Sequence, residues 1–206
     1  AWAAAQSLDE LGQPLTGVTV VERGPGGVRT NRTDSRFGWV TLGGTNGAHT
    51  WEFRQADRLP VWRSADLGRS LFTVPHPRLA RRDTNVLALG ATGGVISNQA
   101  AGLVIDVPAG AMAATATAVV TPLTGQTLPA FLPMGWSPVQ AFWLELSAEP
   151  QLAFSLVAKL WDSVAATESL VLTRWSAAAG RWEVVDQSSL SAAPNPYPGP
   201  YRSPGQ

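Results

Sequence analysis

The side chains able to do acid–base or nucleophilic chemistry are few enough to be checked one by one. Two histidines are present, His49 inside the alternating run His49-Thr50-Trp51-Glu52-Phe53 and His76 between Pro75 and Pro77. No G-x-S-x-G elbow, H-E-x-x-H pair or G-x-x-x-x-G-K loop surrounds either of them or occurs elsewhere. Hydrolase triads, zinc peptidase sites and phosphate cradles therefore lack their usual residues. The absence of cysteine removes disulfides, thiolate metal ligands and cysteine nucleophiles together. A glycosidase needs two carboxylates at a controlled separation. The carboxylates Asp9, Glu10, Glu145, Glu149, Asp162, Glu168, Glu183 and Asp186 are instead scattered beside turns and strand ends, as solvated surface charge is. No D-x-D-x-D-G run offers a calcium loop. The sequence thus predicts no catalytic residue, no cofactor site and no metal site.

Binding chemistry is better supplied, through nine tryptophans. Exposed aromatic rings bind sugars by stacking on their flat faces, so the question is which rings face water. Trp39, Trp51, Trp143 and Trp175 sit inside alternating strand patterns and are expected in cores. Trp62, beside Arg63, and Trp136, in the proline-flanked loop Met134-Gly135-Trp136-Ser137-Pro138, are the expected surface tryptophans and the candidate ligand-binding residues.

The elements that must carry these residues read as strands. Twenty glycines and sixteen prolines punctuate short runs rich in Val, Thr, Leu and Trp, and helical periodicity is almost absent. Thr16–Val21, Phe37–Leu42 and His49–Phe53 suit half-buried strands with Val18 and Val20, Phe37 and Trp39, and Trp51 and Phe53 inward, because side chains two apart share a face. Leu59–Arg63 reads as a short edge strand, Val74–Pro77 as a connector and Asp83–Leu89 as the last strand of a first domain. Strands at Gly93–Ile96, Leu103–Val107, Ala116–Pro122, Ala141–Ser147, Phe154–Leu160, Ser169–Trp175 and Arg181–Val185 follow at the spacing of a second sandwich. The prediction is an all-β chain of two consecutive antiparallel β-sandwich domains, 1–89 and 95–190, with a proline-rich linker or tail over 191–206.

The first of these halves carries Gly12-Gln13-Pro14-Leu15-Thr16-Gly17-Val18-Thr19-Val20, then Thr33-Asp34-Ser35-Arg36-Phe37, then Gly43-Gly44. On those residues it resembles the carboxypeptidase regulatory-like domain, a transthyretin-like β-sandwich. It departs from that pattern at Ser35-Arg36, where a glycine usually follows the aspartate. The second half carries Gly93-Gly94-Val95-Ile96 and then Leu103-Val104-Ile105-Asp106-Val107-Pro108-Ala109-Gly110-Ala111. It resembles a ZU5-like β-sandwich, with Val107 in place of the usual isoleucine. The stretch from Pro122 to Leu146 is similar to segments of long bacterial surface proteins and of Rhs or teneurin-like proteins. The resemblances imply domains without a fixed catalytic activity. Some ZU5 domains cleave themselves at His-Phe-Ser, but here Ala153 precedes Phe154-Ser155, so the general base is missing.

Lys plus Arg and Asp plus Glu number 15 each, so no global field draws the chain to nucleic acid or to an anionic membrane, and no apolar run is long enough to span a bilayer. Residues 1–88 carry about +3 and residues 89–206 about −3. The expected function is a non-catalytic structural or adhesive spacer in a larger extracellular or cell-surface protein, with neighbouring domains of that protein as partners and no cofactor. The alternative is a carbohydrate- or protein-binding module using surface aromatics. A glycoside-active or self-cleaving domain stands behind both. The short join Gly90–Gly94 cannot separate two sandwiches by more than about 17 Å, which predicts a docked pair with Leu71, Phe72 or Leu79 at its interface.

Overall fold

The computed structural model describes residues 2–68, 71–98, 102–158 and 170–186. It is all-β, with no helix among the described residues. Consequently no described helix is long and apolar enough to cross a membrane. The predicted tail over 191–206 lies outside the described residues. The chain divides into two compact units, one of Ala1–Phe131 with Gln140–Lys159 and one of Leu132–Val139 with Leu160–Gln206.

The larger unit begins with β1 (Trp2–Gln6), β2 (Leu8–Asp9), β3 (Thr19–Gly24), β4 (Gly27–Arg32), β5 (Trp39–Gly43), β6 (Gly47–Arg54), β7 (Val61–Leu67), β8 (Leu71–Thr73) and β9 (Arg78–Leu79). Besides the parallel pair β2-β9, two sheets form from them. One is antiparallel throughout in the order β4-β3-β6-β7; the other is β5-β1-β8, in which β1 runs antiparallel to β5 and parallel to β8. Alternation explains the layering. Val18 and Val20, Trp51 and Phe53, and Val61 and Leu67 point inward from the first sheet and meet Ala3, Ala5, Val40 and Leu42 of the second in one buried core.

The core of the second sandwich, in the same unit, is built from β10 (Leu87–Leu89), β11 (Gly94–Asn98), β12 (Leu103–Val107), β13 (Ala116–Pro122), β14 (Phe142–Leu146) and β15 (Ser155–Ala158). Its sheets are β10-β13-β14 and β11-β12-β15, and between them lie Leu89, Ile96, Leu103, Ile105, Val107, Ala116, Ala118 and Val120. The strand ending at Leu89 therefore pairs with β13 and serves the second core, not the first as the sequence suggested. The smaller unit contains a hairpin of β16 (Leu172–Ser176) and β17 (Arg181–Asp186), in which Trp175 and Trp182 pair and meet edge to face at 5.6 Å.

The two sandwiches of the larger unit are joined by side chains the sequence did not place there. Trp62 projects from the outer face of β7, stacks on Trp143 of β14 at 6.5 Å and 15°, and donates its backbone N–H to the Pro129 carbonyl at 2.6 Å. Arg82 pairs with Glu145 at 3.3 Å, and the Asp83 N–H donates to the Thr121 hydroxyl at 2.9 Å. Leu79 belongs instead to the first core, and Leu71 and Phe72 lie exposed on β8, so the expected interface residues are elsewhere. The physical reason is that β8 found a partner in β1 and was not left over as connector.

One turn sets up the site described next. The Asp34 carboxylate accepts the backbone N–H groups of Arg36 and Phe37 through Oδ1 and of Trp39 through Oδ2, at 2.7, 2.6 and 2.8 Å. Those donors, Phe37 foremost and then Arg36, hold its pKa below the ordinary carboxylate value against a smaller opposing effect of burial. Gly38 then takes a left-handed φ of 69°, and a Cβ there would collide with the Leu15 carbonyl, so only glycine lets the chain enter β5 at this angle.

Candidate functional site

The sequence nominated Trp62 and Trp136. Trp62 is only 7% exposed, which corrects its surface assignment: its ring is committed to Trp143. Beside it the Arg63 guanidinium lies 4.3 Å over the Phe131 ring and donates to the Trp62 carbonyl at 2.8 Å. Burial lowers the Arg63 pKa to about 10. This cluster is packed between the two sandwiches. Trp136 lies in the smaller unit, 40% exposed, with its N–H donating to the Pro133 carbonyl at 3.1 Å.

The histidines are structural. His49 is buried and stacked on Trp51 at 5.8 Å. Its Nδ1 lies 2.9 Å from Glu22 Oε1 and its Nε2 2.9 Å from the Thr45 carbonyl. Both ring nitrogens face oxygen acceptors. The cavity bordered by Glu22, Arg29, His49 and the glycines at 26, 27, 43 and 44 measures about 10 Å³, room for about one water, and cannot admit an organic substrate. His76 accepts the Gln6 N–H at 3.1 Å and packs edge-on against Trp39 at 5.3 Å. Among the described residues no group of three His, Asp or Glu side chains could hold a metal ion.

The site that does stand open is the outer face of β5-β1-β8. With Ala3, Ala5, Val40 and Leu42 turned to the core, the alternation sends Trp2, Ala4 and Gln6 of β1 outward, with Trp39, Thr41 and Gly43 of β5 and Leu71 and Thr73 of β8. Trp2 is 62% exposed and Trp39 41%, and Phe37 in the preceding turn is 51% exposed. This reverses the expected inward placement of Phe37 and Trp39: Val40 and Leu42 are the inner residues of β5. Trp2 pairs with Gly43 and Gln6 with Trp39, so the two indoles are four residues apart along the strands, about 13 Å.

Each ring is held at the surface by a local contact. A Cβ at Gly43 would come within 2.8 Å of the Trp2 ring, so the missing side chain lets that indole lie close on the neighbouring strand. Trp39 is braced by His76, and the Gln6 amide donates to the Phe37 carbonyl at 2.9 Å, tying the turn to β1. The outward residues that the register sets between the indoles are the small Ala4 and Thr41. Sequence reasoning missed this face because it took the larger apolar residues of Phe37–Leu42 as the inward set. The signal was the small, apolar pair Ala3 and Ala5 beside Trp2, which marks a closely packed inner face.

The sequence matches no known family profile and no curated protein. Among solved structures it is similar to a candidate carbohydrate-binding protein from Bacteroides uniformis, at 10% identity and a TM-score of 0.32, over 59% of this chain and 60% of that one. It is also similar to a DUF3823 family protein from Parabacteroides merdae, at 8% identity and a TM-score of 0.30, over 77% of this chain and 80% of that one. Similarities of this size carry no argument about ligand.

Proposed function

We propose that the chain is a non-catalytic carbohydrate-binding module whose platform is the outer face of β5-β1-β8. The observation that carries the reading is the pair Trp2 and Trp39, exposed together on one face and separated by small residues. Contiguous apolar surface of this kind marks interaction sites, and indoles give large contact area at small entropic cost. A sugar ring presents C–H groups on one face and hydroxyls at its edge. The indoles suit the former, and Gln6, Thr41 and Thr73 suit the latter. Two platforms about 13 Å apart favour an extended chain of sugars over a single residue. The module belongs, on this reading, to a larger extracellular protein resembling those with carboxypeptidase regulatory-like and ZU5-like domains.

Glycan-array screening of the wild type, Trp2→Ala, Trp39→Ala and Trp136→Ala tests it. Binding that falls in the first two variants and persists in the third is expected. Binding lost only in Trp136→Ala would move the site to the smaller unit, and no binding on a broad array would remove the reading. A second reading, a rigid spacer, is favoured by the join of Trp62 with Trp143 and Pro129. Small-angle scattering that required freely reorienting sandwiches would remove it.

A further inference from the structure

We propose that the glycan taken by this face is anionic, a linear chain of uronate sugars; the inference rests on the platform reading above. Its basis is where charge is absent and where it is not. None of the outward residues of β1, β5 and β8 is charged. Two arginines are anchored near the two ends of the Trp2–Trp39 line, Arg29 reaching it from the inward face of β4, where its register partner is buried Glu22. Arg29, from β4, donates through Nη1 to the Gly43 carbonyl at 2.9 Å, which places its guanidinium at the free edge of β5 beside the position that pairs with Trp2. Arg36 lies 4.8 Å over the Phe37 ring at the end where Gln6 pairs with Trp39.

Neither guanidinium has a carboxylate partner among the described residues, in contrast to Arg23 and Arg54, which share Glu52, and to Arg58 and Arg82, which pair with Glu10 and Glu145. Both oxygens of Asp34 accept backbone N–H groups of its own turn, and Glu22, which borders the same small cavity as Arg29, faces His49 through Oε1. A guanidinium binds carboxylate through paired N–H donors. A chain with a carboxylate on each sugar can therefore lie on the indoles and meet an arginine at either end, whichever ring occupies the middle. A neutral glycan offers those guanidinium groups nothing beyond what water does.

The test is titration calorimetry of the whole chain with oligogalacturonate and with cello-oligosaccharide of equal length. The uronate oligomer should bind about tenfold tighter at low salt. That advantage should shrink when salt near 0.5 M shortens the screening length. The double variant Arg29→Gln/Arg36→Gln should lower uronate affinity about tenfold, to the level of the neutral oligomer, and Trp2→Ala/Trp39→Ala should abolish binding of both. Tryptophan-dependent binding of the neutral oligomer with equal or weaker binding of the uronate would overturn the anionic inference and leave the platform standing. Uronate binding indifferent to the tryptophans, or no binding of either oligomer, would overturn both.

Discussion

Each sheet of the first sandwich has an outer face, and the two faces have met different fates. On β4-β3-β6-β7 the outward Trp62 is covered by the second sandwich, and outward Glu52 is closed off by Arg23 and Arg54. On β5-β1-β8 the outward Trp2 and Trp39 are left to water, braced by Gly43 and His76 but not covered. The covered face uses its tryptophan as mortar between domains. The open face spends the solvation cost of two indoles and a phenylalanine on something other than folding, and that difference separates a packing residue from a candidate ligand residue better than residue type does.

The comparison breaks first at Trp62. Truncating a buried, stacked tryptophan removes its transfer energy and leaves a hole, so Trp62→Ala should cost about 3–5 kcal/mol in urea unfolding, while glycan binding by the fraction still folded is unchanged. A cost like that of a surface substitution would mean that the join between the sandwiches is not a stabilising contact. Trp2→Ala and Trp39→Ala should do the reverse, changing stability by less than about 1 kcal/mol and weakening glycan binding at least about tenfold. If either variant unfolds as Trp62→Ala does, the open face is a structural one.

Asp34 sharpens the comparison through pH. Its folded pKa is held below that of the unfolded chain, so its contribution to stability is present above about pH 4 and is lost as pH falls through the lower, folded value. Asp34→Asn should flatten the acid limb of a thermal-melt series, and because the same turn aims Trp39, it should weaken binding at neutral pH too. An acid limb identical to wild type would show that the turn does not depend on the carboxylate. The smallest effect is expected at Arg63. Burial lowers its pKa to about 10, so between that value and the higher, ordinary one the unfolded chain holds the proton more firmly and rising pH relieves a cost that is fully present at neutral pH. Arg63→Met, which keeps bulk over Phe131 and removes the buried charge, should change melting by less than about 1 kcal/mol in either direction. A loss several times larger would show that the cation–π contact outweighs the burial cost.

Local patterns in the sequence carried the strands well. Leu103–Val107 and Ala116–Pro122 end where the alternation and the neighbouring prolines and glycines said they would, and Val18, Val20, Trp51 and Phe53 are the inward residues expected of them. What alternation does not reveal is which of the two faces is buried, and that choice is made by distant partners: β5 by its antiparallel pairing to β1, β7 by the arrival of Trp143. Choosing the inward set by size placed Trp39 inside and Trp62 outside, and both were reversed. Gly27–Arg32 escaped notice as a strand because G-V-R-T-N-R is polar on both faces, the composition of the edge strand it is.

The parallel pairing of β1 with β8 has a consequence for how the chain is made. β1 is the middle strand of its sheet, and its second neighbour, Leu71–Thr73, is synthesised roughly 70 residues after it. The whole four-stranded sheet is the crossover that parallel strands require. Until that sheet has been synthesised, β1 carries one unfilled row of backbone donors and acceptors next to Trp2, open to any strand that drifts past. The alanines that let the finished sandwich close so tightly are also the residues least able to hold β1 in place on their own, so a pause in translation before Leu71 is the moment at which this domain is most exposed to pairing with a stranger.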